Sequence, residues 1–213
     1  MKPVNLIVIG GSAGSLHALL DLITTLGDDF PLPLLVVLHR NSLFESSLEL
    51  LFSSRTNLLI REVEEKEFIL PGTIYICPAD YHVLIEKDHS FSLDYSERVN
   101  YSRPSIDVSF RSAAEAYGSE LACVLLSGGN ADGAEGLQYV RERGGVTIVQ
   151  DPATAEVPYM PQQALLRIQP DCIGQPAAMG RYLKDLAPPP PPSPTHPPLP
   201  SPQPPPPTSP ADR

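Results

Sequence analysis

The chain alternates between two hydrophobic periods. Leu6 to Ile9 is an unbroken apolar run, the pattern of a strand buried on both faces. Beyond Gly10, Gly11 and Gly14, the apolar residues Leu16, Leu19, Leu20 and Ile23 fall at i, i+3, i+4 and i+7, which predicts a helix with one buried face, stopped at Gly27. Leu34 to Leu38 restores the unbroken run and predicts a second strand that ends at His39. The same patterning predicts helices near Ser47 to Phe52, Ile106 to Tyr117 and Gly133 to Arg143, with strands near Leu58 to Val63, Leu121 to Leu126 and Val146 to Val149. This succession predicts an α/β fold: a mostly parallel, doubly wound sheet flanked by helices. Thr73 to Ile76 and Tyr81 to Tyr95 depart from it. Their alternating apolar residues and the turn residues Lys87, Asp88 and His89 predict an antiparallel hairpin excursion.

Composition divides the chain in two. The 213 residues are 42% hydrophobic and 19% charged, enough for one well-buried domain. From Pro188 onward the material changes, because 15 of the 26 prolines lie there. Fixed φ angles and missing N–H groups exclude helices and sheet ladders, so residues 187–213 are expected to be a disordered, proline-rich tail and residues 1–186 the working domain. The formal charge of −10 and the absence of any Lys/Arg run argue against nucleic acid as a partner. The apolar run at the start is shorter than a signal sequence needs, and no segment approaches the ~18 apolar residues of a membrane span. A cytoplasmic location is the expectation. Cys77, Cys123 and Cys172 show neither CxxC nor Cys/His spacing, which suits small core residues in a reducing compartment. No metal and no cofactor is expected.

Three reactive side chains fall at predicted strand ends, where open α/β sheets bind ligands. Ser12 lies in the glycine-rich turn after the first strand, where the first helix N–H groups can stabilise negative charge; a serine there can equally be an ordinary helix N-cap. His39 ends the second strand and can take a hydroxyl proton, although a strand-end histidine is commonly a plain hydrogen-bonded residue. Asp132, in the polar loop from Ser127 to Gly133, can orient an imidazole or cap the following helix. Together the three have the complementary types of a nucleophile, a base and an orienting acid. His17, His82, His89 and His196 have no such company and read as structural or solvated. A dinucleotide fingerprint fails, since Ser12 and Ser15 occupy its second and third glycine positions and the second strand ends in His39 where an acid is required. Gly10 to Gly14 does match the G-x-S-x-G elbow of α/β-hydrolases, but the serine here is on the first strand and the order is Ser, His, Asp rather than Ser, acid, His.

Longer motifs point to one family. Ile9-Gly-Gly-Ser-Ala-Gly14, Leu38-His39, Leu70-Pro-Gly-Thr-Ile-Tyr-Ile-Cys-Pro-Ala-Asp-Tyr-His82, Arg103-Pro-Ser-Ile-Asp107, Leu126-Ser-Gly-Gly-Asn-Ala-Asp-Gly-Ala134 and Met160-Pro161 resemble, in order, the catalytic domain of the CheB protein-glutamate methylesterases. The resemblance implies hydrolysis of glutamyl methyl esters on the cytoplasmic helices of methyl-accepting chemoreceptors, with methanol released, and in some members deamidation of receptor glutamines. It implies Ser12 as nucleophile, His39 as base and Asp132 as orienting acid, with Gly11, Ala13 and Gly129 in the loops around the oxyanion. Two departures stand out. Gly129 replaces the family's usual methionine, and the chain opens on the catalytic domain rather than on a phosphorylatable receiver. Either regulation by phosphorylation in cis is absent or a separate regulatory protein acts. The alternative class is a non-catalytic module that uses the same crevice to bind a receptor helix or a small anion.

Overall fold

The unbroken apolar runs become strands because helices cover both of their faces. In a computed structural model, which describes residues 3–39 and 48–188, β1 (Leu6–Gly11) is the central strand of a seven-stranded sheet. α1 (Ser15–Leu26) returns the chain to β2 (Leu34–Leu38), which pairs parallel to β1 with Gly11 opposite Leu38. After α2 (Leu48–Ser53), β3 (Leu59–Glu62) and β4 (Thr73–Ile76) extend that half of the sheet. β5 (His82–Ile85) and β6 (Phe91–Asp94) form a separate antiparallel pair. α3 (Ile106–Tyr117) leads to β7 (Leu121–Leu125), on the other side of β1, and α4 (Ala134–Glu142) to β8 (Val146–Gln150). α5 (Tyr159–Arg167), β9 (Cys172–Gly174) and α6 (Pro176–Leu186) complete the order β3-β4-β2-β1-β7-β8-β9, parallel throughout.

Two cores result, one on each face. Ile7, Ile9, Leu34 and Val36 pack with α1 and α6, while Leu6, Val8, Leu35 and Val37 pack with α3, α4 and the hairpin. Each fully buried side chain of this kind stabilises by about 1.5–3 kcal/mol, which is why every position of β1 and β2 is apolar or glycine. One expectation needs correction. Thr73 to Ile76 does not belong to the hairpin excursion: β4 pairs parallel with β2 and β3 inside the main sheet. All four of its residues are buried, so the polar Thr73 suggests an alternation that burial does not follow. The predicted helix start at Ser47 and the tail beyond Pro188 lie outside the described residues.

The topology positions the chemistry. β1 lies between β2 and β7, and the chain leaves β1 towards β2 but reaches β7 only after the hairpin and α3. The carboxyl ends of β1, β2 and β7 therefore meet at the reversal of strand order, where such sheets form a crevice.

Candidate active site

Ser12 follows β1 directly. Its N–H donates to the Ser127 carbonyl at 2.9 Å, and its own carbonyl accepts from the Ser15 amide at 3.0 Å and the Ser15 hydroxyl at 2.6 Å. This fastens the backbone of the turn, while the Ser12 hydroxyl, partly exposed, has no hydrogen-bond partner among the described residues. The helix N-cap is Gly14, not Ser12. Gly14 has φ 72, and a Cβ on it would come within 2.6 Å of Glu156 Cβ and 2.9 Å of Ser127 Oγ, so the tight turn needs glycine there on two counts.

His39 follows β2 and is the strand-end neighbour of Ser12, one step beyond the Gly11–Leu38 pair; its N–H donates to the Gly11 carbonyl at 3.2 Å. Its ring is oriented by Asp132, with Nε2 2.7 Å from Oδ2. Nδ1 faces the other way and lies 3.3 Å from Ser102 Oγ. The structure thus joins His39 to Asp132 by their side chains and brings Ser12 beside them by strand register, with no bond between the Ser12 hydroxyl and the imidazole. Catalytic hydrogen bonds are often long or misaligned before substrate binds.

Asp132 is fully buried and heavily held. Besides His39 it accepts from the Ser105 hydroxyl at 2.9 Å and from the amides of Ile106 at 2.7 Å, Asp107 at 3.1 Å and Gly133 at 3.1 Å. It is not the N-cap of α4, a role Gly133 takes; its carboxylate sits instead on the first turn of α3, where free amides and the helix dipole favour an anion. Burial alone pushes this carboxyl up, but the bond from His39, the Ile106 amide, the imidazole charge and the Asp107 amide together hold it below the ordinary range. It therefore stays ionised, and Nε2 of His39 carries the ring hydrogen that points at it.

Behind Asp132 lies Asp107, 4% exposed, whose Oδ1 accepts from the Gly136 amide at 2.6 Å and whose Oδ2 accepts from Asn100 Nδ2 at 3.0 Å. No cation pairs with it among the described residues. Burial pushes its carboxyl up to about 7, the Gly136 amide opposing and the charges of Asp132 and Glu135 adding to the rise. Ser105 caps α3, accepting from Val108 N–H, and its own amide donates to Nδ1 of buried His82, whose Nε2 lies 3.0 Å from the Glu97 carbonyl. His82 is thus structural, as its isolation suggests, but it braces the residue that braces Asp132. Ser102, Ser105 and Asp107 carry no chemical signal beyond their place near the Arg103 to Asp107 motif, since serine and aspartate are ordinary in loops and caps.

The loop residues divide. Gly11 is the last residue of β1, within the sheet, and its carbonyl is engaged by His39. The amides of Ala13 and Gly129, both exposed, make no hydrogen bond among the described residues. The Ser12 amide is already committed to Ser127, whereas those of Ala13 and Gly129 are not engaged by other described residues. Ser127 secures both sides: its hydroxyl donates to the Ala13 carbonyl at 2.8 Å and accepts from the Val157 amide at 2.9 Å.

Known proteins share long stretches of this sequence and its fold. The family model described as CheB methylesterase matches residues 7–183. A Leptospira interrogans protein named "Putative protein-glutamate methylesterase/protein-glutamine glutaminase" is 45% identical over 159 residues, covering 75% of this chain and 82% of that protein. A Carboxydothermus hydrogenoformans protein-glutamate methylesterase/protein-glutamine glutaminase is 39% identical over 165 residues, 75% of this chain but 48% of that protein. The chain thus spans about half the length of that relative. The crystal structure of the Thermotoga maritima CheB methylesterase catalytic domain superposes with a TM-score of 0.82 at 32% identity, covering 87% of this chain and 100% of that one.

Proposed function

The chain belongs to the CheB methylesterase family, and from that premise we propose that Ser12, His39 and Asp132 act as nucleophile, base and orienting acid in the hydrolysis of glutamate methyl esters on chemoreceptor helices. The observation that carries this assignment is the 2.7 Å pairing of His39 with a buried, ionised Asp132 at the strand end adjoining Ser12. Nδ1 of His39 takes the proton of Ser12 as its Oγ attacks the ester carbonyl, then delivers it to the departing methoxide, giving methanol and an acyl-enzyme. Water then attacks the same carbonyl carbon, passes a proton to Nδ1, and the carbon–Oγ bond breaks as that proton returns to Ser12. Asp132 remains ionised and stabilises the imidazolium formed in each half. The free amides of Ala13 and Gly129 hold the developing oxyanion, and a glycine donates there as well as a methionine. Attack on a glutamine side chain differs only in the leaving group, ammonia for methanol, so deamidation is open to the same site. The expected setting is the cytoplasm, where receptor helices present their methylated glutamates.

Methanol release from a methylated receptor, compared between the parent and Ser12→Ala, tests the assignment. The variant is expected to lose roughly 10³-fold or more of the rate. An undiminished rate would move the nucleophile elsewhere. Receptor binding by the parent with no methanol released would favour a non-catalytic module.

A further inference from the structure

The second nitrogen of the base leads beyond the triad, on the premise that the esterase reading holds. With Nε2–H committed to Asp132, Nδ1 presents the lone pair that must accept a proton twice per turnover, first from Ser12 and then from water. Ser12 is held on the protein already, because the backbone of its turn is pinned at Ser127 and Ser15. The water is unattached, and an untethered reactant gains most from being held in position.

Ser102 is placed to supply that hold. Its hydroxyl lies 3.3 Å from Nδ1, 3.4 Å from the Asn100 carbonyl and 3.4 Å from Asn130 Nδ2. The hydroxyl hydrogen therefore has two acceptors, Nδ1 and the Asn100 carbonyl, and rotating it to the carbonyl frees Nδ1 for its work. The turn presenting Ser102 is closed by reciprocal backbone bonds between Val99 and Ser102, with Asn100 and Tyr101 at φ 50 and 63. Asn100 tolerates that conformation, whereas in Tyr101 it brings Cβ close to the following carbonyl oxygen and is disfavoured. The tyrosine is 96% exposed, so packing offers no return. Asn100 anchors the turn to Asp107, whose own amide holds Asp132. Both nitrogens of the imidazole are thus addressed by groups tied to one buried residue, Asp107, through its carboxyl on one side and its amide on the other.

We propose that Ser102 is a positioning residue for deacylation: its hydroxyl holds the hydrolytic water against Nδ1 of His39 and aims it at the acyl carbon on Ser12. In that step the water oxygen bonds to the acyl carbon, its proton passes to Nδ1, and the acyl carbon separates from Ser12 Oγ as the proton is handed back. The products are the free glutamate side chain and regenerated serine. Acylation makes no use of this water, so the two half-reactions depend on Ser102 unequally.

The test measures steady-state methanol release by the full chain and the fraction of Ser12 carrying an acyl group, read by mass after acid quench during turnover of a peptide bearing a glutamate γ-methyl ester. Ser102→Ala is expected to turn over about ten-fold more slowly, the effect of one lost hydrogen bond to a reacting group. Its acyl-enzyme fraction should rise above the parent's, and Ser102→Thr, which keeps the hydroxyl, should restore both. Slower turnover with an unchanged or smaller acyl fraction would overturn the proposal in favour of a general loosening of the site. So would a rate equal to the parent's. A parent that releases no methanol would instead overturn the esterase reading and this inference with it.

Discussion

Two neighbouring aspartates at this site are driven in opposite directions, although both are buried and each accepts from an amide in the first turn of a helix, Asp132 from α3 and Asp107 from α4. Asp132 collects His39 and several amides and is held ionised; Asp107 has the Gly136 amide and an asparagine amide, and faces Asp132 itself. Their contributions to stability therefore run oppositely with pH. An unfolded aspartate takes up its proton near about 3.9, whereas Asp107 does so at about 7 in the fold. Between those values the native state binds more protons than the unfolded chain, so Asp107 favours folding most below about pH 4, and that contribution is lost as pH rises towards 7. Asp132 stabilises above its unfolded value and loses that contribution on acidification. Urea unfolding of Asp107→Asn and the parent is expected to show the difference moving in the variant's favour from about pH 4 to about pH 7, then levelling. A constant offset across that range would mean that Asp107 does not titrate there.

At the scale of elements, the site depends on how closely α3 approaches β1. Gly10 has no side chain because Ile106 occupies the space: a Cβ on Gly10 would collide with Ile106 Cγ2, with Ile106 Cγ1 only 3.2 Å away. Ile106 is also the residue whose amide donates to Asp132. A change at Gly10, remote from any proton transfer, should therefore reach the triad through the helix. Gly10→Ala is expected to cost about 1–3 kcal/mol by overpacking and to lower kcat as the α3 amides move off the carboxylate. Chemical denaturation and steady-state kinetics on the same variant would check both. Lost stability with full kcat would show that α3 can shift without disturbing Asp132.

For the molecule as a whole, the described core residues run from Val4 to Leu186, and the two faces of the sheet are closed by helices that end there. The final helix packs on the first: Gly180 lies against α1, where a Cβ would meet Thr25 Cβ at 2.8 Å and the Leu22 carbonyl at 3.0 Å. The expectation that the proline-rich residues from 187 onward lie outside the working domain can be checked by truncation. A chain ending at Pro188 is expected to keep the parent's melting temperature within about 2 °C and its methanol release unchanged. A large loss in either would give the tail a part in folding or in the reaction. Among the described residues no helix is long and apolar enough to cross a membrane.

What the sequence by itself determined was local and periodic. Unbroken runs such as Leu34 to Leu38 announce buried strands, Leu16 to Ile23 announces a helix, and Ser12 and His39 stand at strand ends because the apolar pattern stops just before them. Period alone does not reveal partners. Thr73 to Ile76 reads as part of a hairpin, yet it lies parallel between β3 and β2, because pairing is chosen by which buried surfaces must meet across the whole sheet. The same holds at the site: only tertiary structure sets Asp132 on the amides of α3, places Asp107 behind it and turns Ser102 towards Nδ1. Hydrogen bonds and charge interactions act over a few ångströms of space, and residues 93 positions apart, as His39 and Asp132 are, come within that reach only when the chain has folded.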